Sequence, residues 1–124
     1  MVTELTMNDM NTGQNDPDSL LRVVMFYGAT CGPCKRTMPH YETVAQYFTA
    51  KQSPILFYRI NAWEPFEQKE YCETVWGIKG VPHFKVFLLG ANIHTRQGGG
   101  DEQAMFKFLQ ECIDEAFKQY GVRI

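Results

Sequence analysis

The chain has 124 residues, a net charge of −2, 44% hydrophobic residues, nine Phe and six Tyr. A chain of that size and composition builds one packed domain, so residues 1–124 are expected to fold as a single unit, neither disordered nor divided in two. No Lys/Arg cluster exceeds the pair Lys35-Arg36, and no apolar run approaches the roughly 20 residues that span a bilayer, so neither a nucleic-acid face nor a membrane segment is expected. The stretch Met1–Asn15 has no basic start and no apolar core, unlike a secretory signal, and a cytoplasmic location is the expectation.

In chain order, Val2–Thr6 alternates and reads as a short edge strand. Asn8–Ser19, rich in Asn, Asp, Gly and Pro, reads as loop with room for one helical turn. Leu20–Tyr27 is almost continuously apolar, the pattern of a strand buried on both faces. From Pro33 to about Lys51 the residues Met38, Tyr41, Val44, Ala45, Tyr47 and Phe48 recur at helical spacing, with Pro39 inside, where its missing N–H should kink the helix. Ser53-Pro54 breaks the chain before a second buried strand, Ile55–Ile60, and the loop Asn61–Pro65. Phe66–Trp76 reads as a helix with Tyr71, Cys72, Val75 and Trp76 on its apolar side and Gly77 as its stop.

Phe84–Leu89 is the third apolar strand, followed by Gly90-Ala91-Asn92 as a hairpin turn into Ile93–Gln97. After Gly98-Gly99-Gly100, Asp101 caps a helix whose stripe is Met105, Phe108, Leu109, Cys112, Ile113, Ala116, Phe117 and Tyr120, with Gly121 at its end. Strand-helix-strand units imply parallel pairing, and the tight turn implies an antiparallel edge. The expected fold class is therefore α/β, a mixed sheet with helices on both faces.

The stretch that carries chemistry is Tyr27–Pro39. Cys31 and Cys34 are two residues apart where a strand pattern gives way to a helical one, the arrangement of a dithiol that closes and reopens as a disulfide. At a helix N-terminus the unpaired N–H groups and the macrodipole favour a thiolate, so the Cys31 pKa should fall below the free value of about 8.5. Cys31 is then the attacking sulfur and Cys34, one turn in, the resolving one. Gly32 allows the tight turn, and Pro33 near the first helical position loses an N–H that has no helical partner.

The competing reading is a structural pair or half a zinc site. Zinc needs four ligands, and no second Cys-X-X-Cys or His pair stands around Cys72, Cys112, His40, His83 or His94. Cys72 and Cys112 lie on helical apolar stripes and read as small core hydrophobes. His83 shares a face with Val81 along an extended segment and would tune a thiolate if it faced the sulfurs; His40 reads as solvated. The three glycines lack the spacing of a phosphate-binding loop and read as a flexible turn.

At Cys31–Lys35 the sequence resembles the thioredoxin family, whose Cys-Gly-Pro-Cys-Lys signature stands intact, with Pro39 matching the proline of that family's active helix. Glu4-Leu5-Thr6, the run Gly77–Pro82, and the pair Gly90 and Gly98 are also similar to family features, and the order of elements agrees over nearly the whole chain. The resemblance implies the thioredoxin fold with about five strands, a cis Val81–Pro82 peptide facing the cysteines, and a substrate surface of Thr30, Gly32, Pro33, Val81, Pro82 and Gly98. It implies a thiol–disulfide oxidoreductase that reduces protein disulfides, takes electrons from a thioredoxin-reductase-like donor, and needs no cofactor beyond the Cys31–Cys34 couple and no metal.

Gly-Pro is the dipeptide of that family's reducing members, so the resemblance implies a reducing potential of about −270 mV. Two positions depart from the family: Thr30 stands where it usually carries Trp, and Met25 where many members hold a buried Asp. Thr30 and a long last helix leave open an accessory binding module with little turnover. A glutathione-linked exchanger is the other alternative, although that group generally places an aromatic between its cysteines.

Overall fold

The computed structural model describes residues 1–10 and 20–124; most of the expected loop Asn8–Ser19 lies outside the described residues. The central strand forms because Leu21, Val23, Val24, Met25 and Phe26 cannot be hydrated at acceptable cost on either face, and all are fully buried. The elements are β1 (Val2–Leu5), a 3-10 turn (Met7–Asp9), β2 (Leu21–Tyr27), α1 (Gly32–Ala50), β3 (Ile55–Asn61), α2 (Phe66–Trp76), β4 (His83–Leu88), β5 (Ala91–Gln97) and α3 (Glu102–Tyr120). The described strands form one sheet in the order β1-β3-β2-β4-β5. Strand β3 runs parallel to β1 and β2, and β4 is antiparallel to β2 and β5. The expected edge strand at Val2 is an edge and the mixed sheet agrees with the expectation, but the strand-helix-strand unit β3-α2-β4 does not give parallel pairing, since β4 runs antiparallel to β2 and β3 parallel to it.

Odd-numbered residues of β2 point to one face, where Leu21, Val23 and Met25 pack with Tyr41, Val44 and Phe48 of α1 and Met105, Phe108 and Leu109 of α3. Val24 and Phe26 point to the other, against Met10, Tyr58, Ile60 and Cys72. Helices thus cover both faces. Gln68, a polar residue at 7% exposure, is buried on α2 because both ends of its amide are paired. Its Nε2 donates to the Asn61 carbonyl at 2.8 Å and its Oε1 accepts from the Met7 N–H at 3.0 Å.

Several local expectations are corrected. The hairpin turn is Leu89-Gly90, not Gly90-Ala91-Asn92: both residues have positive φ (50° and 88°), and β5 starts at Ala91. This is the left-handed pair that a two-residue hairpin requires. In β5 the register shifts between Val86 and Phe87, which pair with His94 and Asn92, so Ile93 is an extra residue and the alternation breaks there. Tyr47, Val75, Phe117 and Tyr120 are exposed despite their helical spacing. Tyr47 instead packs edge-on against Phe48 and Phe106, α2 turns only Gln68 and Cys72 fully inward, and Phe117 and Tyr120 follow Ala116, the last buried residue of α3. As expected, Pro39 lies inside helix α1.

Candidate active site

Strand β2 delivers the chain to a short turn, Gly28–Thr30, from which α1 starts. Cys31 is the N-cap of α1 with extended backbone, and its sulfur accepts a hydrogen bond from the Cys34 N–H at 3.2 Å. The turn is closed by the Cys31 N–H donating to the Gly28 carbonyl at 3.2 Å. Cys31 and Cys34 form a disulfide with their Cα atoms 5.2 Å apart. Cys31 is half-buried, whereas Cys34 is 2% exposed. Burial is incomplete in one direction, because a cavity of about 160 Å³ borders Cys34 and is lined also by Tyr27, Gly28, Lys35, Met38 and Arg59. On its rim, Arg59 and the Tyr27 hydroxyl both donate to Glu4, at 2.7 and 2.8 Å. Burial, and then the Glu4 bond, push the Tyr27 hydroxyl up to about 12.

The second wall of the site comes from the segment before β4. The Val81–Pro82 peptide is cis, and the Val81 carbonyl oxygen lies 3.7 Å from the Cys31 sulfur. The Gly98 N–H donates to the Pro82 carbonyl at 2.8 Å, so the end of β5 is tied to the same loop. Gly99 and Gly100 then pass over α1, where the Gly100 N–H donates to Thr37 Oγ1 at 3.2 Å. Between α1 and this loop runs a cleft of about 370 Å³ bordered by Pro33, Arg36, Thr37, His40 and Asp101. Thr30, Gly32 and Pro33 stand exposed at the rim around Cys31. The structure therefore gathers Thr30, Cys31, Gly32, Pro33, Cys34, Val81, Pro82 and Gly98 at one end of the sheet, beyond the carboxyl ends of β2 and β3.

His83 is placed otherwise than as a thiolate tuner. It pairs with Phe26 on β2, which faces away from the Cys34 side of the sheet, and meets the Phe26 ring edge-on at 6.2 Å. Its Nδ1 lies 2.6 Å from Gln97 Oε1, and the Gln97 amide donates to the Pro82 carbonyl at 3.3 Å. Burial lowers the His83 pKa, so the ring is neutral and braces the loop. Cys72 and Cys112 are buried free thiols, each pushed up to about 12 by burial. His40 Nδ1 lies 3.7 Å from Glu102. Among the described residues no group of three or more His, Cys, Asp or Glu is arranged to hold a metal ion.

Three neighbours of the site were not singled out from sequence: Thr37, Gln97 and Trp63. Thr37 lies on the same helical stripe as Tyr41, Val44 and Phe48 and had a usable signal that its polarity hid, whereas Gln97 closes a contact across β4 and β5. Trp63 had a usable signal, since β2 and β3 are consecutive parallel strands and the loops that leave them share one end of the sheet. A second cis peptide, Glu64–Pro65, follows Trp63 and was not expected.

A family model described as Thioredoxin matches residues 3–111. The chain is 31% identical over 98 residues to a protein disulfide-isomerase of Zea mays, a match covering 78% of this chain and 19% of that protein. It is 38% identical over 91 residues to a thioredoxin-like protein of Acanthamoeba polyphaga mimivirus, covering 72% and 61%. The chain thus spans only a small part of the isomerase's length. Among solved structures, Plasmodium falciparum thioredoxin superposes with a TM-score of 0.70 at 26% identity, over 88% of this chain and 97% of that one. Thioredoxin f of spinach chloroplast gives 0.73 at 24% identity, over 93% and 85%. With the Cys-Gly-Pro-Cys turn, the cis-proline and the five-stranded mixed sheet all in place, the chain has the thioredoxin fold and belongs to the thioredoxin family.

Proposed function

We propose that the chain is a thiol–disulfide oxidoreductase that reduces protein disulfides through Cys31 and Cys34. The observation that carries the reading is Cys31 at the N-cap of a 19-residue helix, its sulfur accepting the Cys34 N–H and facing the Val81 carbonyl. In the reduced form the same N–H and the helix dipole stabilise a Cys31 thiolate. That thiolate attacks one sulfur of a substrate disulfide; an S–S bond to Cys31 forms as the substrate's own bond breaks, and the departing sulfur takes a proton. Cys34 then loses its proton through the cavity beside it and attacks the Cys31 sulfur. The Cys31–Cys34 bond forms, and the substrate leaves with both sulfurs reduced and two electrons gained. A dithiol-bearing reductase returns two electrons to the protein.

Thr30, Gly32, Pro33, Val81, Pro82 and Gly98 form the substrate surface. An extended substrate backbone donates to the Val81 carbonyl, and Pro82, having no N–H, offers no competing donor there. A reducing role of this kind fits the cytoplasm, where thiols are kept reduced. The test is dithiothreitol-driven reduction of insulin by wild type, Cys31→Ser, Cys34→Ser and the double variant. Cys31→Ser should be inactive, and Cys34→Ser should accumulate a mixed disulfide visible by mass. Wild type no faster than the double variant would defeat the proposal.

A further inference from the structure

We propose that Trp63 is the aromatic wall of the substrate surface beside Cys31 and selects disulfides whose cysteine is flanked by an apolar residue; the inference rests on the oxidoreductase reading above. Thr30 leaves the residue before Cys31 small and polar, and the large apolar group on that flank comes from another loop. Register brings it there. Tyr27 of β2 lies opposite Asn61 of β3, and the Ala62 N–H donates to the Tyr27 carbonyl at 2.7 Å, so the residue that follows emerges beside Gly28. A Cβ placed on Gly28 would be 3.4 Å from Trp63 Cβ, 3.4 Å from Cys31 Cβ and 3.6 Å from Val81 Cγ2. One point therefore lies in contact range of the tryptophan's Cβ, the attacking cysteine's Cβ and a methyl of the residue whose carbonyl faces it.

Trp63 is held firmly yet left in water. Asn61 Oδ1 accepts from the N–H groups of Trp63 and Glu64 at 2.9 and 3.0 Å, fixing the loop as an Asx turn. The Lys69 ammonium sits 4.2 Å from the ring centroid, over one face. The residue nevertheless stays 42% exposed. A fixed aromatic with unburied surface binds an apolar side chain with little ordering cost. The Trp63 backbone thus reaches the flank of Cys31 and Val81 through Gly28, and on this assignment an extended peptide whose cysteine sits at Cys31 lays its neighbouring side chain against the ring.

The test uses two disulfide-bridged peptides that differ only beside one cysteine, Leu against Gly. Wild type should favour the Leu peptide in kcat/KM by about tenfold, equivalent to about 1.4 kcal/mol. Trp63→Ala should bring that ratio close to one, and Trp63→Phe, which keeps a ring, should preserve most of it. A wild-type ratio near one, or the full ratio surviving in Trp63→Ala, overturns the assignment. The two peptides are also titrated against the Cys31→Ser/Cys34→Ser variant, with and without Trp63→Ala, where the same preference should appear in Kd and disappear. If that binding preference holds while wild type reduces neither peptide, the wall stands and the oxidoreductase reading falls.

Discussion

Gly99→Ala is the sharpest perturbation available, because Gly99 is where the loop after β5 is pressed against both halves of the site. A Cβ there would land on Thr37 Oγ1, and would lie 3.2 Å from Thr37 Cβ and 3.4 Å from Pro82 Cγ. Thr37 is 3% exposed, and its hydroxyl already accepts the Gly100 N–H. The added methyl has two ways out. Thr37 can rotate, which leaves the Gly100 N–H without its acceptor at a cost of roughly 1–3 kcal/mol. Alternatively the loop can lift from α1 and Pro82, a forced repacking that also costs roughly 1–3 kcal/mol. Both routes give the same range, so the urea midpoint should fall by that amount with the m-value unchanged.

A double-mutant cycle locates the cause. In a Thr37→Ala background the clash with Oγ1 is gone, and Gly99→Ala should then cost under about 1 kcal/mol, a coupling within the range seen for residues in contact. Loop lifting also loosens the Gly98 to Pro82 bond, so insulin reduction should slow along with the loss of stability. A Gly99→Ala protein within about 0.5 kcal/mol of wild type, or an equal cost with and without Thr37, would refute the packing argument.

Leu89 adopts φ of 50° in the hairpin turn while 66% exposed, so Leu89→Asn should stabilise by about 1 kcal/mol and raise Tm by about 3–5 °C, read by calorimetry; a drop would show that the leucine is held by contacts. Cys72 and Cys112 are both pushed up to about 12, so between the unfolded thiol range near 8.5–9 and pH 12 the unfolded chain binds fewer protons than the native one. Stability should therefore decline as pH rises through that window, by at most about 1.4 kcal/mol per pH unit for each thiol, and Cys72→Ala with Cys112→Ala should flatten the decline in urea titrations at pH 9 to 11. Met25 is fully buried in the cluster that holds Cys34; Met25→Asp should destabilise by roughly 3 kcal/mol or more, yet speed resolution of a trapped mixed disulfide. No acceleration across about pH 6 to 9, the thiol range, would show that a missing base is not what limits that step.

Much of this architecture was readable because its residues answer to local rules. Leu20–Tyr27 has no polar residue but Arg22, so it had to be a central strand; Gly77 and Gly121 end helices in the left-handed conformation that glycine adopts freely. Cys31 and Cys34 were legible for the same reason, since motif spacing and the strand-to-helix switch are both local. What was not legible depends on partners distant in sequence. Gln68 is buried by Met7 and Asn61, and His83 is drawn to Gln97 and Phe26 on the face away from Cys34. The turn at Leu89 was missed because leucine seldom takes positive φ, and it does so here where β4 and β5 need a two-residue connection.

The placement of the two spare sulfurs bears on what would happen to a captured substrate. Cys72 and Cys112 are sealed on opposite sides of the sheet and held in the protonated, unreactive form at neutral pH. On the proposed mechanism, a polypeptide tethered to Cys31 consequently has no third cysteine of this chain to migrate to. Within the molecule its release would run through Cys34 alone, so any faster release must come from a thiol in solution.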